Sequence, residues 1–139
     1  MRSKVLLAAN LLSLLYGGYL LWYFGSPIIK YGITDFIESM KLTYEVLFDM
    51  LNIESSTFLV LNIILILLCL HIVAFVLGCL NGWLGFVSKK SGFAKFAAIL
   101  YLLGTLCFPI YFIFGLPITV MGFIGAAKQK RMSAVSTSS

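Results

Sequence analysis

The chain has 139 residues, of which 61% are hydrophobic and 11% charged, and its mean hydropathy is +1.05. These values lie far outside the balance of a soluble globular domain and indicate a single integral membrane domain with three or four spans. The net charge of +5 does not indicate nucleic-acid binding, because the basic residues flank apolar segments and the preference of cytoplasmic loops for Lys and Arg accounts for them.

The first apolar segment, about residues 5–24, is predicted to be an uncleaved transmembrane helix. It is longer than the apolar region of a secretory signal peptide, and the Gly-Ser-Pro sequence at 25–27 makes a poor cleavage site. Asn10 is the only strongly polar residue inside it. Arg2 and Lys4 precede the segment, which favours a cytoplasmic N-terminus.

A segment at about 33–52 is predicted to form an amphipathic helix on the outer side of the membrane. Its apolar side chains recur at offsets of three, four and seven, which is the period of a helix with one apolar face. All five acidic residues lie between the first two spans: Asp35, Glu38, Glu45, Asp49 and Glu54. Helices that bind anionic lipid usually carry Lys and Arg on the polar face. This acidic helix is therefore expected to fold over the mouth of the bundle, with docking of an external partner as the alternative.

The longest uncharged segment, residues 57–86, is predicted to be the second span. Four small side chains recur along its second half and share a face: Ala74, Gly78, Gly82 and Gly85. Small residues at this spacing let another helix approach closely. The face is thus a candidate helix-packing interface, and the sequence leaves open whether its partner is another helix of this chain or a second protein.

Candidate polar side chains inside the membrane are few: Asn62, His71 and Asn81. An ionisable side chain in a span is a candidate for function, because charging it in lipid is costly. A proton relay would need a second ionisable group, and the span centres contain none. His71 is therefore predicted to be a neutral imidazole that hydrogen-bonds a carbonyl or hydroxyl group of a neighbouring helix.

The cysteines indicate no redox or metal chemistry. Cys69, Cys79 and Cys107 all fall in apolar spans, and the sequence contains no Cys-x-x-Cys motif. Exposed carboxylates on one helix face repel one another weakly and lack the burial that an acid–base pair requires. No catalytic, metal-binding or cofactor-binding residue is predicted, and no enzymatic activity is expected.

The last apolar stretch, residues 93–127, is too long for one span. Two short spans at 94–108 and 110–127 fit if the chain turns near Pro109, and one span with a re-entrant segment is the alternative. With four spans, eight of the ten basic residues and both termini lie on the cytoplasmic side. The tail at 132–139 is expected to be disordered, and the basic cluster at 128–131 is expected to lie on anionic headgroups.

The order of parts is a basic-flanked span, an acidic amphipathic segment, a long span, a Lys-Lys-Ser-Gly turn at 89–92 and a proline-containing last span. That last span ends with Gly-Phe-Ile-Gly-Ala-Ala-Lys-Gln-Lys-Arg at 122–131. This layout resembles that of small uncharacterised four-span membrane proteins of Gram-positive bacteria. The resemblance implies an all-α, four-helix membrane bundle with an additional extracytoplasmic helix, and it carries no activity to transfer.

Two functional hypotheses follow. The first is a non-catalytic multi-pass protein of the cell membrane that packs with itself or with a larger membrane complex. The alternative is a small oligomeric channel or transporter, whose pore would have to be lined by the few polar side chains of the spans: Asn10, Asn62, His71, Thr105 and Thr119.

Overall fold

The computed structural model describes residues 3–52 and 57–137, and within them it contains helices and turns but no strand. Five α-helices follow one another: α1 (Lys4–Tyr31), α2 (Ile33–Met50), α3 (Thr57–Ser88), α4 (Ser91–Cys107) and α5 (Phe112–Thr137). A 3₁₀-helix, Pro109–Tyr111, joins α4 to α5. The predicted all-α class is confirmed for this part of the chain.

Three helices, α1, α3 and α5, are long and apolar enough to cross a membrane, whereas α4 is apolar but has only 17 residues. α3 shows why such helices suit lipid: it has apolar side chains on every face. Leu61, Leu68 and Phe75 point into the bundle, while Ile66 and Leu70 are exposed on its outside. A helix that is apolar all round is typical of a membrane span.

α1, α3, α4 and α5 form the bundle, with each helix antiparallel to the next of these four. The most extensive packing is between α3 and α4, and the next most extensive is between α4 and α5. The core contains large aromatic side chains as well as leucines, with Tyr101 and Phe75 among the largest that are fully buried. α2 lies outside this core, because none of its residues is fully buried.

The two ends of the bundle differ in charge. The basic end contains the start of α1, the α3–α4 turn and the last turns of α5, with these side chains: Lys4, Lys89, Lys90, Lys95, Lys128, Lys130 and Arg131. The acidic end contains the α1–α2 corner and the α4–α5 turn. There α2 carries four exposed carboxylates: Asp35, Glu38, Glu45 and Asp49. Glu54 lies outside the described residues.

Two turns depend on backbone conformations in the left-handed region. Gly32, the single residue between α1 and α2, has φ +91°, which a residue without a Cβ adopts at little cost. Lys89 in the α3–α4 turn has φ +58°, although it carries a long side chain. The carbonyl of Lys89 accepts a hydrogen bond of 3.1 Å from the hydroxyl of Ser133 in α5, which helps to hold this turn in place.

Two helices continue past the limits of the predicted segments. The helix that contains the predicted span at 5–24 runs through Pro27 to Tyr31. A proline removes only one backbone donor, and Phe36 of α2 packs edge-to-face on Phe24, with ring centroids 6.4 Å apart, so this end of α1 is supported from the side.

The tail expected to be disordered is helical as far as it is described, since α5 runs to Thr137. The hydroxyl of Ser133 bonds both the carbonyl of Gln129, at 2.9 Å, and that of Lys89, which ties the last turns of α5 to the bundle. Ser138 and Ser139 lie outside the described residues. The turn predicted near Pro109 is present, and α3 ends two residues later than expected.

Candidate functional site

The centre of the bundle contains one imidazole, that of His71 in α3, which has no exposed surface. Its Nδ1 lies 2.7 Å from the carbonyl oxygen of Gly104 in α4, and its Nε2 lies 2.8 Å from the hydroxyl oxygen of Tyr16 in α1. One side chain therefore joins three helices. The prediction that His71 bonds a carbonyl or a hydroxyl group of a neighbouring helix is confirmed, and both kinds of partner are present.

These two partners determine where the imidazole carries its proton. A carbonyl oxygen can only accept, so Nδ1 holds the hydrogen and donates it to Gly104. Nε2 then accepts a hydrogen bond from the hydroxyl of Tyr16. This neutral tautomer satisfies both ring nitrogens, whereas a charged ring would place a cation in the apolar interior at a high free-energy cost.

Aromatic rings enclose this centre. Tyr111 stacks on His71 with centroids 5.7 Å apart and planes 26° apart, and Phe75 lies 4.9 Å away. Phe75 also meets Tyr16 edge-to-face at 4.8 Å. Rings on several sides restrict solvent access and hold the imidazole in one orientation, which favours a structural role for its hydrogen bonds.

A second polar layer lies two turns nearer the basic end. Asn10 of α1 is fully buried, and its Nδ2 donates to the carbonyl oxygen of Gly82 in α3 over 2.9 Å. The hydroxyl of Ser13 donates to the carbonyl of Asn10, also over 2.9 Å. The hydroxyl group of Tyr101 lies beside that of Ser13. Within the part of the chain that the structure describes, Asn10 Oδ1 is buried without a hydrogen-bond partner. This layer is thus less fully bonded than the layer around His71.

The small-residue face of α3 is occupied by helices of the same chain. A Cβ built on Gly78 would lie 2.5 Å from Cε1 of Tyr101, and one on Gly85 would lie 2.6 Å from the backbone nitrogen of Ala94. Gly82 faces Asn10 in the same way, and the methyl group of Ala74 meets Gly104 of α4. Of the two readings that the sequence left open, the structure has the intramolecular one.

The three polar candidates of α3 do not come together. Asn62 is half-buried nine residues before His71, and Asn81 lies ten residues after it, which places them roughly 14 Å and 15 Å from it along the helix axis. Asn81 donates its Nδ2 hydrogen to the carbonyl of Leu77 in its own helix, over 2.8 Å. His71 therefore belongs to a site without the two asparagines.

Potential metal ligands are dispersed. Within residues 3–52 and 57–137, no group of three or more His, Cys, Asp or Glu side chains is placed to hold a metal ion. The cysteines are free thiols, with Cys69 exposed on the outside of α3, Cys79 buried and Cys107 half-buried.

An apolar cleft opens between α1 and α5 toward the acidic end. It has a volume of about 620 Å³, and it is lined by Leu12, Leu15, Tyr16, Tyr19, Tyr111, Ile113, Phe114, Pro117 and Ile118. Tyr16 is one of the lining residues, so the cleft reaches the phenol ring whose hydroxyl group bonds His71.

Further tyrosines gather beside the cleft. Tyr19 stacks on Tyr23 at 5.7 Å, and both lie near enough to Tyr111 to interact with it electrostatically, as does Tyr44 of α2. Burial, and then the neighbouring Tyr23, raises the pKa of the Tyr44 phenol. α2 therefore lies partly across the acidic end of the bundle.

Sequence reasoning missed Tyr16, the partner that connects His71 to α1. A signal was present, because Asn10, Ser13 and Tyr16 follow one another at offsets of three and place hydrogen-bonding groups on one face of an apolar helix. The other partner, Gly104 of α4, was missed as well. Its carbonyl group bonds His71, and a backbone acceptor leaves no mark in a sequence.

Comparison of the chain with protein-family models, with curated proteins and with solved structures finds no match. The resemblance in layout to four-span proteins of Gram-positive bacteria stays a prediction, and function has to be inferred from the geometry of the bundle itself.

Proposed function

We propose that this chain is a multi-pass protein of the cell membrane whose four spans are α1, α3, α4 and α5, with both termini in the cytoplasm. It acts without catalysis, by packing with a partner membrane protein. α2 and the acidic end of the bundle form the surface at which that association takes place.

The direction of the helices supports the fourth span. α3 and α5 both run toward the basic end, where Gln129 of α5 approaches the carbonyl of Lys89. α4 has to return the chain from the end of α3 to the start of α5, so it traverses the same layer in the opposite direction. Basic side chains gather at the end that holds the first and last turns of the bundle, and the positive-inside preference assigns that end to the cytoplasm.

The observation that carries the proposal is that polar side chains inside the bundle form hydrogen bonds within it. Asn10 and His71 bond neighbouring helices, while Thr105 and Thr119 donate to carbonyls one turn earlier in their own helices, over 2.7 Å and 2.8 Å. All four are buried. Four of the five side chains that a pore would need therefore form internal hydrogen bonds, which favours a closed packing unit over a channel.

We assign the association surface to α2 because its side chains are exposed. None of its residues is fully buried, and exposed apolar side chains such as Leu42 and Val46 lie beside its carboxylates. Four exposed carboxylates against Lys41 on the same helix give this surface a negative charge. A partner with a basic, partly apolar segment outside the membrane is complementary to it.

The test measures the native mass of the chain after extraction in mild detergent, and again with Glu38→Gln and Asp49→Asn combined. The wild-type particle should exceed the 15.4 kDa of one chain by a fixed ratio, and the double variant should weaken association by about tenfold. Neutral substitutions are chosen because added lysines could invert the orientation of the spans.

Lys30→Gln is the matched control, since it removes one exposed charge of the opposite sign at the same end. It should leave association unchanged within about twofold. A lone chain at every concentration would contradict the proposal, and a homo-oligomer that conducts ions in liposomes would favour the channel instead.

A further inference from the structure

A second cavity lies at the basic end, beside the α3–α4 turn. It has a volume of about 720 Å³, and its wall includes both lysines of the turn and the first residues of α4. The residues that matter for its chemistry are Asn81, Lys89, Lys90, Ser91, Phe93 and Phe96. The lining of this open cavity thus combines two cations, a hydroxyl group and two aromatic rings.

The backbone of the turn is fixed while its lysine side chains remain exposed. Gln129 of α5 is fully buried, and its side chain accepts a hydrogen bond from the amide of Ser3 over 2.9 Å. Ser133 of α5 donates to the carbonyl of Lys89. Because α1 and α5 both anchor this region, the two lysines are presented from a rigid support.

Lys89 is an unusual residue for its position. Its φ of +58° is a conformation that Gly or Asn adopts at lower cost. The backbone alone would favour glycine here, and a strained position that carries a charged side chain is a candidate for a functional role.

An apolar track leads away from the cavity along α4. Phe93 and Phe96 are 41% and 52% exposed, and Ile99 and Leu103 continue the exposed strip on the same helix at 44% and 51%. The strip runs from the lysines toward the middle of the bundle. A bound molecule would thus meet cationic groups at one end and an aromatic and aliphatic surface along the rest.

The geometry points to this cavity as a binding site for the phosphate-bearing headgroup of an anionic phospholipid, with an acyl chain lying along Phe96, Ile99 and Leu103. The ammonium groups of Lys89 and Lys90 neutralise the phosphate, and the hydroxyl of Ser91 can donate to it. Lipid is the assigned source of the phosphate because the cavity opens beside an apolar helix surface. The inference uses the membrane placement of the bundle and is independent of its association through α2.

The experiment titrates the purified full-length chain in mild detergent with phosphatidylglycerol or with phosphatidylcholine of the same acyl chains, and counts bound lipid by native mass spectrometry. Phosphatidylglycerol should bind more tightly. Lys89→Gly and Lys90→Gln should each weaken it by about fivefold, the effect expected for one basic residue beside an anionic headgroup.

Lys89→Gly separates binding from folding, because glycine relieves the backbone at φ +58° while it removes the charge. Its thermal stability should equal or exceed that of the wild type while its lipid binding falls. Lys89→Arg should keep the preference for phosphatidylglycerol, since it retains a cation at the same place.

Lys4→Gln is the matched control, because it removes one exposed charge at the same end but outside both the cavity and the basic cluster at 128–131. An equal loss of binding in this control would overturn the site in favour of general surface attraction. Equal binding of both lipids would also overturn it, and displacement of the lipid by millimolar inorganic phosphate would assign the cavity to a free anion.

Discussion

The basic and acidic ends of this bundle differ in how closely their helices pack. At the basic end, helices approach within backbone contact, since a Cβ on Gly125 of α5 would lie 2.7 Å from the Cα of Leu6 in α1. Side chains then tie the helices across the gap, as Gln129 does with Ser3. At the acidic end the same two helices leave a cleft of about 620 Å³ lined in part by aromatic rings. α2 lies at this end as well, and none of its residues is fully buried.

The difference teaches how a small membrane bundle can be both stable and available for binding. In lipid, where association cannot rely on the hydrophobic effect, close contact of small residues and interhelical hydrogen bonds supply the stability. These devices are concentrated in the basic half and around His71. The acidic end contributes less of this packing, and its cleft and amphipathic helix are the surface that the function proposed above assigns to a partner.

The largest effect is expected from Gly125→Leu, which inserts a side chain where α1 and α5 are closest. Because the atoms opposite are backbone atoms of Leu6, they cannot move aside as a flexible side chain could. The substitution should lower the free energy of unfolding by about 3 kcal/mol or more, measured by SDS titration in mixed micelles.

Gly18→Leu is its matched control, since a Cβ at this exposed position of α1 meets no atom within 4 Å. It should leave stability unchanged or raise it by up to about 1 kcal/mol, because glycine is a weak helix former. Equal destabilisation by the two substitutions would show that close packing is not what holds the basic end.

The next largest effect concerns His71, at the border between the two regions. His71→Leu leaves the hydroxyl of Tyr16 and the carbonyl of Gly104 without their partner and should cost about 1 to 2 kcal/mol of unfolding free energy. His71→Gln keeps hydrogen-bonding capacity and should cost less.

Tyr16→Phe removes only one of these bonds and should cost about half as much as His71→Leu. A complete loss of cellular function in a well-folded His71→Gln variant would mean that the imidazole has a chemical role beyond its bonds to α1 and α4.

A smaller effect is expected from Gln129→Leu, which removes the side-chain acceptor for the amide of Ser3. The loss should be about 1 kcal/mol, and the amide of Ser3 should exchange its hydrogen faster in deuterated buffer. Lys128→Ala, at the exposed neighbouring position, should change neither quantity. If the amide of Ser3 exchanges at the same rate in the Gln129→Leu variant, the hydrogen bond between Gln129 and Ser3 does not stabilise the basic end.

The smallest effect is expected at the acidic end, from Phe36→Ala. Phe36 is half-buried and packs edge-to-face on Phe24, so its loss should release α2 while costing the bundle only about 0.5 kcal/mol. Faster amide exchange confined to α2 would report this release. Ile33→Ala is the control, since Ile33 is 62% exposed in the same helix. A large fall in total stability would make α2 part of the core and weaken the contrast between the ends.

Sequence patterns predicted the features that depend on residues close together in the chain, such as the helices. The uncharged run of α3 and the apolar period of α2 both appear as helices close to their predicted limits. The bonding of His71 was also predictable, because a buried polar ring in lipid needs partners on other helices. These predictions succeed because the apolar period of a helix, and the free-energy cost of an unpaired polar group, can be judged from one segment of the sequence alone.

What the sequence did not specify are the pairings between distant helices. The small face centred on Gly78 could have met any helix, and its occupant, Tyr101, is recognisable only when α3 and α4 are side by side. The same holds for Tyr16, 55 positions from His71. The helical tail was missed because polar residues such as Ser133 suggest disorder until the carbonyl of Lys89 is seen to bind one of them.

The shortness of α4 has a consequence for the bilayer around the protein. Its 17 residues span about 25 Å, whereas the hydrocarbon layer is about 30 Å thick and the 32 residues of α3 measure about 48 Å. In the four-span arrangement proposed here, one flank of the bundle is too short for the membrane and another is long enough to tilt. Lipids beside α4 have to thin locally, so the protein imposes an uneven hydrophobic thickness and is favoured in thinner membranes.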